Sequence, residues 1–212
     1  VLLSWTSVQA SPEEARLISD LFGQYNSLAR PVQNYSEALN VKYGVSLQKI
    51  YKVDFETDSA TFDIWENYQW RDYGLKWDAK EYGISSLRLP AKLIWRPDIK
   101  LYGGRYIERD LTNVVVTSTG HVIWVPTAVV SIPCDINEDN VKCTLKVGSW
   151  TFDGTQVNLT NVGDKIDTSS YAKQLKFPLG KTPCVRNVLR YSCCPEPYID
   201  ITCSINFTLG KK

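Results

Sequence analysis

Two adjacent cysteines, Cys193 and Cys194, carry the most distinctive chemistry of this sequence. A disulfide between neighbouring residues closes only a small ring, so it removes little entropy from the unfolded chain and adds little stability. Such a bridge is a candidate for shaping a surface. Two free thiols, or two cysteines with separate partners, are the alternative interpretation. Tyr191 and Pro195 flank the pair, so an aromatic side chain lies close to any surface that the bridge shapes.

The other cysteines are spaced so that a hairpin would pair them. If the tip of a hairpin lies between Cys193 and Cys194, Cys184 stands opposite Cys203, and a cross-strand bridge is geometrically natural there. The adjacent cysteines are then left for each other. The total of six cysteines also fits complete pairing. The hypothesis is therefore three disulfides: Cys134–Cys143, Cys184–Cys203 and Cys193–Cys194.

Three sequons for N-linked glycans accompany these cysteines, at Asn34, Asn158 and Asn206. Paired cysteines and glycan acceptors together favour a secretory route. The first ten residues, VLLSWTSVQA, are either the end of a signal peptide or the start of the folded domain. No apolar run approaches the roughly 20 residues that span a bilayer. The expectation is a secreted, soluble chain.

Composition excludes several functions. The chain has 24 basic and 23 acidic residues and a formal net charge of +1, so no basic stripe indicates a nucleic-acid partner. His121 is the one histidine. This excludes a histidine-rich metal site, and a Ser-His-Asp catalytic site would have to use His121. We expect no metal, no cofactor and no enzymatic activity. The length of 212 residues suits one all-β domain, placed over residues 1–212.

The elements that must position a site are one helix followed by strands. Ser11 can cap the helix, Pro12 begins it, Glu14 completes a capping box and Gly23 ends it. After the helix, short apolar-polar runs with a period of two alternate with turn residues. This pattern is typical of an antiparallel sandwich or barrel.

Two strands place aromatic side chains on a polar face. Along residues 61–70 the apolar side chains share one face, with Glu66 as the exception, and Trp65 lies on the other. In the last strand, residues 198–209, the polar set that alternates with the apolar set contains Tyr198. Two aromatics on a wet face indicate a contact surface. A core position is expected instead for Trp70, Trp77, Trp95 and Trp124.

Five further segments are distinctive in their residues and in their order and spacing along the chain. They are WENYQW at 65–70 with LKW at 75–77, WRPDIKLY at 95–102, GHVIWVP at 120–126, GSWTFD at 148–153 and YSCCPEPY at 191–198. They resemble loops D, A, E, B and C of the nicotinic acetylcholine receptor and acetylcholine-binding protein family, and residues 161–171 match its loop F. The resemblance runs from Ser11 onward. It implies an N-terminal α-helix and a ten-stranded, immunoglobulin-like β-sandwich, all-β in class, assembled in rings of five.

The resemblance also implies which residues bind the ligand. On the principal face these are Tyr102, Trp150, Tyr191, Cys193, Cys194 and Tyr198. On the complementary face they are Trp65, Asn67, Val115, Thr117, Ile123 and Val125. Both half-sites lie in one chain and, as in the family, on opposite edges. A head-to-tail contact must then complete each site, and such contacts close into rings, here a homopentamer.

Three further residues have supporting roles by the same resemblance. Asp98 matches the carboxylate that braces loop B. Lys146 and Asp200, together with Tyr191, match a trio that couples the C-loop to gating in receptors. Without the resemblance, Lys146 and Asp200 would pass as an ordinary surface pair that contributes little.

These residue types suit a cationic amine. A quaternary ammonium has no N–H donor, so hydrogen bonds cannot hold it specifically, whereas aromatic faces attract it by their negative potential. Each cation–π contact contributes roughly 0.5–2 kcal/mol. The resemblance implies a box of five rings, with Ile123 and Val125 closing its apolar end: Tyr102, Trp150, Tyr191, Tyr198 and Trp65.

The function expected from the sequence is a soluble, secreted binding protein for acetylcholine and other cholinergic amines such as nicotine-like ligands. The segment between Cys134 and Cys143 is short and polar, unlike the longer apolar loop with which receptors press on their membrane domain. This favours a protein without a pore. The first alternative is the extracellular domain of a nicotinic-type pentameric ligand-gated channel.

A more distant alternative is a secreted carbohydrate-binding module that stacks sugars on Trp65 and Tyr198. A hydrolase would need a pair of carboxylates assembled from Asp98, Asp153 or Asp200, and their spacing does not demand one.

Overall fold

A computed structural model of the chain describes residues 11–171 and 176–210. The two interpretations of residues 1–10 concern a segment outside the described residues. Across the described ranges, no helix combines the length and apolar character that crossing a membrane requires.

The first element is helix α1, Pro12–Phe22. Ser11 caps it, because its Oγ accepts a hydrogen bond from the Glu14 amide at 3.4 Å. The Gly23 amide donates to the Ser19 carbonyl at 3.0 Å and ends the helix. The predicted helix, its cap and its last turn are confirmed, and its apolar face packs on the sheets through the fully buried Leu17.

Twelve strands follow in the described chain. They are β1 Leu39–Asp54, β2 Ser59–Arg71, β3 Ser86–Pro90, β4 Ile99–Tyr102, β5 Arg105–Asp110, β6 Asn113–Thr117, β7 His121–Trp124, β8 Thr127–Asn137, β9 Asn140–Ser149, β10 Val157–Asn161, β11 Cys184–Tyr191 and β12 Cys194–Thr208. A second helix, α2, spans Ala79–Tyr82. The family resemblance implies ten strands. Short segments raise the number: β4 and β5, for example, are separated only by Gly103 and Gly104 and pair with different neighbours, β9 and β8.

The strands form the two layers of an all-β sandwich, as predicted. Their order is β11-β12-β9-β8-β2-β7-β6-β3, with β1 joined to β2 and β10. All pairs are antiparallel except β1 with β10. Strand β8 belongs to both layers, because its first part pairs with β2 and its end, from Cys134, pairs with β9. This strand therefore ties the two layers together.

The core lies between the layers and follows the predicted strand phase. On β2 the side chains of Phe62, Ile64, Glu66, Tyr68 and Trp70 are all buried, whereas Trp65 is 43% exposed. Phe62 meets Phe207 of β12 edge to face, with ring centroids 6.1 Å apart.

The core positions expected for Trp70, Trp95 and Trp124 are confirmed, whereas Trp77 is only partly buried. Trp70, Trp95 and Trp124 are buried, and Trp77 packs against the core while donating its Nε1–H to the Ile84 carbonyl at 2.6 Å.

A Phe62→Ala substitution should lower the free energy of unfolding by about 3–5 kcal/mol, because it leaves a cavity between the layers. Phe55→Ala is the matched control, since that ring is 62% exposed, and it should change stability by less than about 0.5 kcal/mol. Denaturant unfolding of both variants measures the difference. Equal losses would contradict this placement of the core.

Candidate functional site

Tyr102 and Trp150 form the first aromatic pair of the candidate site. Tyr102 ends β4 and Trp150 follows β9, and these strands pair so that the rings lie 6.2 Å apart between centroids. The Tyr102 hydroxyl donates to the Ser149 carbonyl at 2.9 Å. The Trp150 side chain is 68% exposed. A large apolar ring therefore stands open to solvent on a backbone that its neighbours hold.

The turn that carries Trp150 is held by Asp98. Its Oδ1 accepts from Ser149 Oγ at 2.5 Å, and its Oδ2 accepts from the Thr151 amide and hydroxyl at 2.7 and 2.5 Å. The Trp150 amide donates to the Asp98 carbonyl at 3.3 Å. One carboxylate thus fixes the residues on both sides of the exposed ring.

The hairpin of β11 and β12 carries the second aromatic pair. The rings of Tyr191 and Tyr198 lie edge to face, 5.4 Å apart, beside the disulfide between Cys193 and Cys194. Tyr191 is 53% exposed. The other two disulfides of the structure are Cys134–Cys143 and Cys184–Cys203.

The tip of this hairpin differs from the regular one that the cysteine spacing predicts. Cys184 does stand opposite Cys203, but Tyr191 pairs with Cys194, which puts the turn one residue earlier than expected. The ladder is irregular just before the turn, between Leu189 and Tyr191, where prolines lie on the opposite strand. Proline has no amide hydrogen and cannot continue a ladder. Arg190 Nη1 instead donates to the Pro195 carbonyl at 2.9 Å.

Lys146 and Asp200 form an ion pair beneath the hairpin, 3.1 Å between Nζ and Oδ2. The view of them as an ordinary surface pair is wrong for Asp200, which is buried. Its Oδ1 accepts hydrogen bonds from Asn187 Nδ2 and Thr202 Oγ1, at 2.6 and 2.8 Å. Burial is tolerated because both carboxylate oxygens have partners. The ring of Tyr191, the third member of the expected trio, contacts Tyr198.

The pKa of the Tyr102 hydroxyl is raised above its ordinary value by its surroundings. Burial raises its pKa, and the nearby carboxylates of Asp200 and Asp98 raise it further. The ring therefore remains a neutral phenol at physiological pH. A neutral phenol presents a negative ring face without adding a formal charge.

The complementary residues lie together on a different part of the fold. Trp65 and Asn67 point outward from β2, Val115 pairs with Ile123 across β6 and β7, and Ile123 pairs with Gln69 of β2. All of these are outside the core, whereas their chain neighbours face inward. The complementary residues share one outward face. Trp65 is exposed, and the other five are partly buried: Asn67, Val115, Thr117, Ile123 and Val125.

A carboxylate beside this face was not assigned from the sequence. Ser46 of β1 pairs with Trp65 on one side and with Asp167 on the other. Its Oγ donates to Asp167 Oδ2 at 2.9 Å. The pKa of Asp167 is lowered by the Ser169 amide and hydroxyl and by the Ser46 hydroxyl. Pairing across more than a hundred residues leaves no local signal, so only the match to loop F pointed to this segment.

The two groups of residues lie at separate ends of the strand order. We call Tyr102, Trp150, Tyr191, Cys193, Cys194 and Tyr198 the principal group, which lies on β4, just after β9, and on the hairpin of β11 and β12. We call Trp65, Asn67, Val115, Thr117, Ile123 and Val125 the complementary group, which lies on β2, β6 and β7 and just after β7. Strand β8 runs between them. Each group is assembled within the chain, and each remains an open surface rather than a closed pocket.

A cavity of the described chain lies apart from both groups. It has a volume of about 750 Å³ and lies between the end of α1 and residues 72–76. Within the described ranges, no set of three or more His, Cys, Asp or Glu side chains is grouped to hold a metal ion. The chemistry that the two groups offer is therefore aromatic and apolar contact.

The sequons differ in their surroundings. Asn34 lies in an exposed turn, where its Oδ1 accepts from the Ser36 amide and hydroxyl at 3.1 and 3.0 Å. Asn158 and Asn206 lie on strands, and their side-chain amides donate to Asn40 Oδ1 and the Lys181 carbonyl. All three remain predicted glycan acceptors.

Similarity to known proteins agrees with this geometry. The profile of the family described as neurotransmitter-gated ion-channel ligand binding domain matches residues 14–209. The chain belongs to this family, which is a ligand-binding domain and not an enzyme.

Relatives of this chain include acetylcholine receptor subunits. An alpha-type acr-16 subunit of Caenorhabditis elegans is 42% identical over 90% of this chain, and an alpha-like 2 subunit of Drosophila melanogaster is 35% identical over all of it. The human neuronal alpha-4 subunit is 35% identical over 89% of the chain. The chain spans 40%, 40% and 32% of these relatives, respectively.

Asp98→Ala should free the turn around Trp150. Thr151 loses two bonds to a charged group, each contributing roughly 1.5–3 kcal/mol, so the protection of its amide against hydrogen exchange should fall roughly tenfold or more. Asp153→Ala is the matched control, because Asp153 holds the Thr155 amide and hydroxyl in the same way in the next turn. It should expose Thr155 and leave Thr151 unchanged. Unchanged protection of Thr151 in Asp98→Ala would contradict the bracing role.

Acidification should loosen the segment around Asp167. Because its pKa is lowered in the fold, its contacts stabilise above the ordinary value of 3.8 and are lost as the pH falls through the folded value. The amide of Ser169, which donates to Asp167 Oδ1 at 2.9 Å, should thus lose exchange protection as the pH falls below 3.8. Asp167→Asn should abolish this pH dependence. Hydrogen exchange followed by NMR between pH 3 and 6 measures both proteins, and parallel curves would refute the assignment.

Proposed function

We propose that this chain is the extracellular ligand-binding domain of a nicotinic-type, pentameric ligand-gated channel subunit, and that it binds acetylcholine or a related cholinergic amine. The observation that carries the proposal is the two aromatic pairs of the principal group, Tyr102 with the exposed Trp150 and Tyr198 with the exposed Tyr191. The names of the relatives, all acetylcholine receptor subunits, support the same interpretation.

The principal group supplies four ring faces for one cation. Each cation–π contact contributes roughly 0.5–2 kcal/mol, and a micromolar dissociation constant corresponds to about 8 kcal/mol. Four rings with a fifth from Trp65 reach that range without any hydrogen bond to the ammonium. The disulfide of Cys193 and Cys194 makes the hairpin tip a stiff cover that excludes water from the cation.

The complementary group supplies the other wall. Trp65 adds the fifth ring, and Val115, Ile123 and Val125 offer apolar contact to the part of the ligand beyond the ammonium. Asp167 adds a negative charge at the margin, where it favours the approach of a cation. The more polar side chains of the same face are Asn67 and Thr117.

Both walls belong to one chain, so the site is complete only where two subunits meet. The principal group of one copy faces the complementary group of the next in a head-to-tail contact, and repeated contacts of this kind close a ring. The family resemblance supports a homopentamer with one site at each interface.

A secreted binding protein without a channel is the second candidate function. The hairpin of β8 and β9 supports it, because the segment between Cys134 and Cys143 is short, mostly polar and turns at Glu138 and Asp139. It offers a membrane domain little apolar surface. The relatives favour the receptor domain over this candidate. A chimera with the membrane domain of a nicotinic receptor separates the two: acetylcholine-gated current supports the receptor domain, and a silent channel at the cell surface supports the secreted protein.

Isothermal titration of the purified oligomer with acetylcholine and nicotine tests the binding site itself. Trp150→Ala, Tyr198→Ala and Trp65→Ala should each weaken binding tenfold or more, about 1.4 kcal/mol. Tyr35→Ala is the control, because its ring is 83% exposed and lies outside both groups, and it should bind as the unchanged chain does.

Absence of binding at millimolar amine by a folded oligomer would refute the proposal. Binding of glycans that amines do not displace would instead favour the carbohydrate-binding alternative. That alternative gains no support from the family to which the chain belongs.

A further inference from the structure

A buried carboxylate lies directly behind the complementary group. Glu66 is fully buried, between Trp65 and Asn67 on β2. Its Oε1 accepts hydrogen bonds from three hydroxyls at 3.2, 2.8 and 2.8 Å, and its Oε2 lies 2.8 Å from Arg109 Nη2. The three hydroxyls belong to Tyr43, Tyr68 and Tyr106. Every oxygen of the carboxylate therefore has a partner.

The positive partner of this carboxylate is held among rings. The guanidinium of Arg109 lies 4.6 Å from the centroid of Tyr106 and 5.4 Å from that of Trp124. Its Nη2 also donates to the Tyr68 hydroxyl at 3.1 Å. Tyr68 stacks on Trp124 with centroids 5.0 Å apart. Burial raises the pKa of Tyr43, Tyr68 and Tyr106, and the charge of Glu66 raises it further, so their hydroxyls remain donors.

This cluster backs both strands that present the complementary group. Glu66 separates Trp65 from Asn67 on β2, and Trp124 separates Ile123 from Val125 at the end of β7. Successive side chains of a strand point to opposite faces. Holding Glu66 and Trp124 inward therefore holds their neighbours outward.

Filling the core at position 66 does not require a charged side chain. A leucine at position 66 would fill a core, and a buried ion pair is a weak source of stability because both charges lose water. A slip of one residue along β2, however, would expose Glu66 and bury Trp65, while Arg109 stays in place on β5. Such a slip would leave the Arg109 charge without its partner, so the cluster penalises the wrong register heavily.

We propose that Glu66 and Arg109 are positioning residues for the complementary half of the site. They fix the orientation of Trp65 and Asn67 through β2 without contacting the ligand. The effect on ligand affinity rests on the proposed function. The orientation of Trp65 is a property of the chain alone and can be measured without any ligand.

The test uses the oligomer labelled with 5-fluorotryptophan, with the resonance of Trp65 assigned by Trp65→Phe. In Glu66→Gln, which keeps the shape and removes the charge, the ¹⁹F resonance of Trp65 should shift or broaden, while that of Trp150 stays in place. The dissociation constant for acetylcholine should rise at least fivefold. In the double variant Glu66→Gln with Arg109→Gln, the Trp65 resonance and the dissociation constant should be closer to those of the unchanged protein, because no unpaired charge remains.

Ile64→Ala is the matched control, because Ile64 is the buried residue on the other side of Trp65 and takes no part in the cluster. It should lower the melting temperature at least as much as Glu66→Gln, yet change the affinity less than twofold. Affinity losses that follow the melting temperature in both variants would overturn the proposal, and so would an unmoved Trp65 resonance in Glu66→Gln.

Tyr106→Phe replaces Glu66→Gln if that variant does not fold. It removes one hydroxyl donor to Glu66 and keeps the ring, and it should move the Trp65 resonance while the protein stays folded. An unmoved resonance there overturns the proposal as well. If the unchanged protein binds no cholinergic amine, the proposed function fails, and the ¹⁹F comparison still decides the positioning role.

Discussion

Each strand of the sandwich can bury only every second side chain, and both halves of the candidate site are built from the side chains that this constraint leaves outside. On β2 the inward residues close the core and Trp65 remains in water. The exposed aromatic rings depend on the backbone that carries them as well as on their contacts with each other. Three carboxylates lie close behind that backbone. Asp98 holds the turn of Trp150, Asp200 lies beneath the hairpin, and Glu66 lies behind the complementary face.

The parts of the structure that could be predicted from the sequence are those set by local rules. The cap and end of α1 depend on Ser11 and Gly23, and the phase of β2 follows from a period of two. The same counting placed Cys184 opposite Cys203. The resemblance to the family was inferred from five short segments and their order along the chain. The expected ligand-binding role of each aromatic ring was inferred from the same segments.

The rest depended on contacts between distant residues or on backbone irregularities. Asp200 belongs to a polar alternation that predicts exposure, but its carboxylate is buried, with Lys146, Asn187 and Thr202 as its partners. The earlier turn of the hairpin follows from Pro195 and Pro197, which counting across a regular ladder cannot represent. Asp167 reaches β1 only through the tertiary fold. The structure has twelve strands rather than the ten that the resemblance implies, because short segments such as those beside Gly103 pair independently.

The proposed site is divided between two separate surfaces of one subunit, and this division has a genetic consequence. A chain damaged at Trp150 keeps an intact complementary group, and a chain damaged at Trp65 keeps an intact principal group. In the proposed ring, neither chain alone can form a whole site, but a mixture of the two can complement. With random assembly of equal amounts, roughly one interface in four joins the two intact halves. Two individually inactive alleles of a single gene can therefore restore ligand binding when they are expressed together.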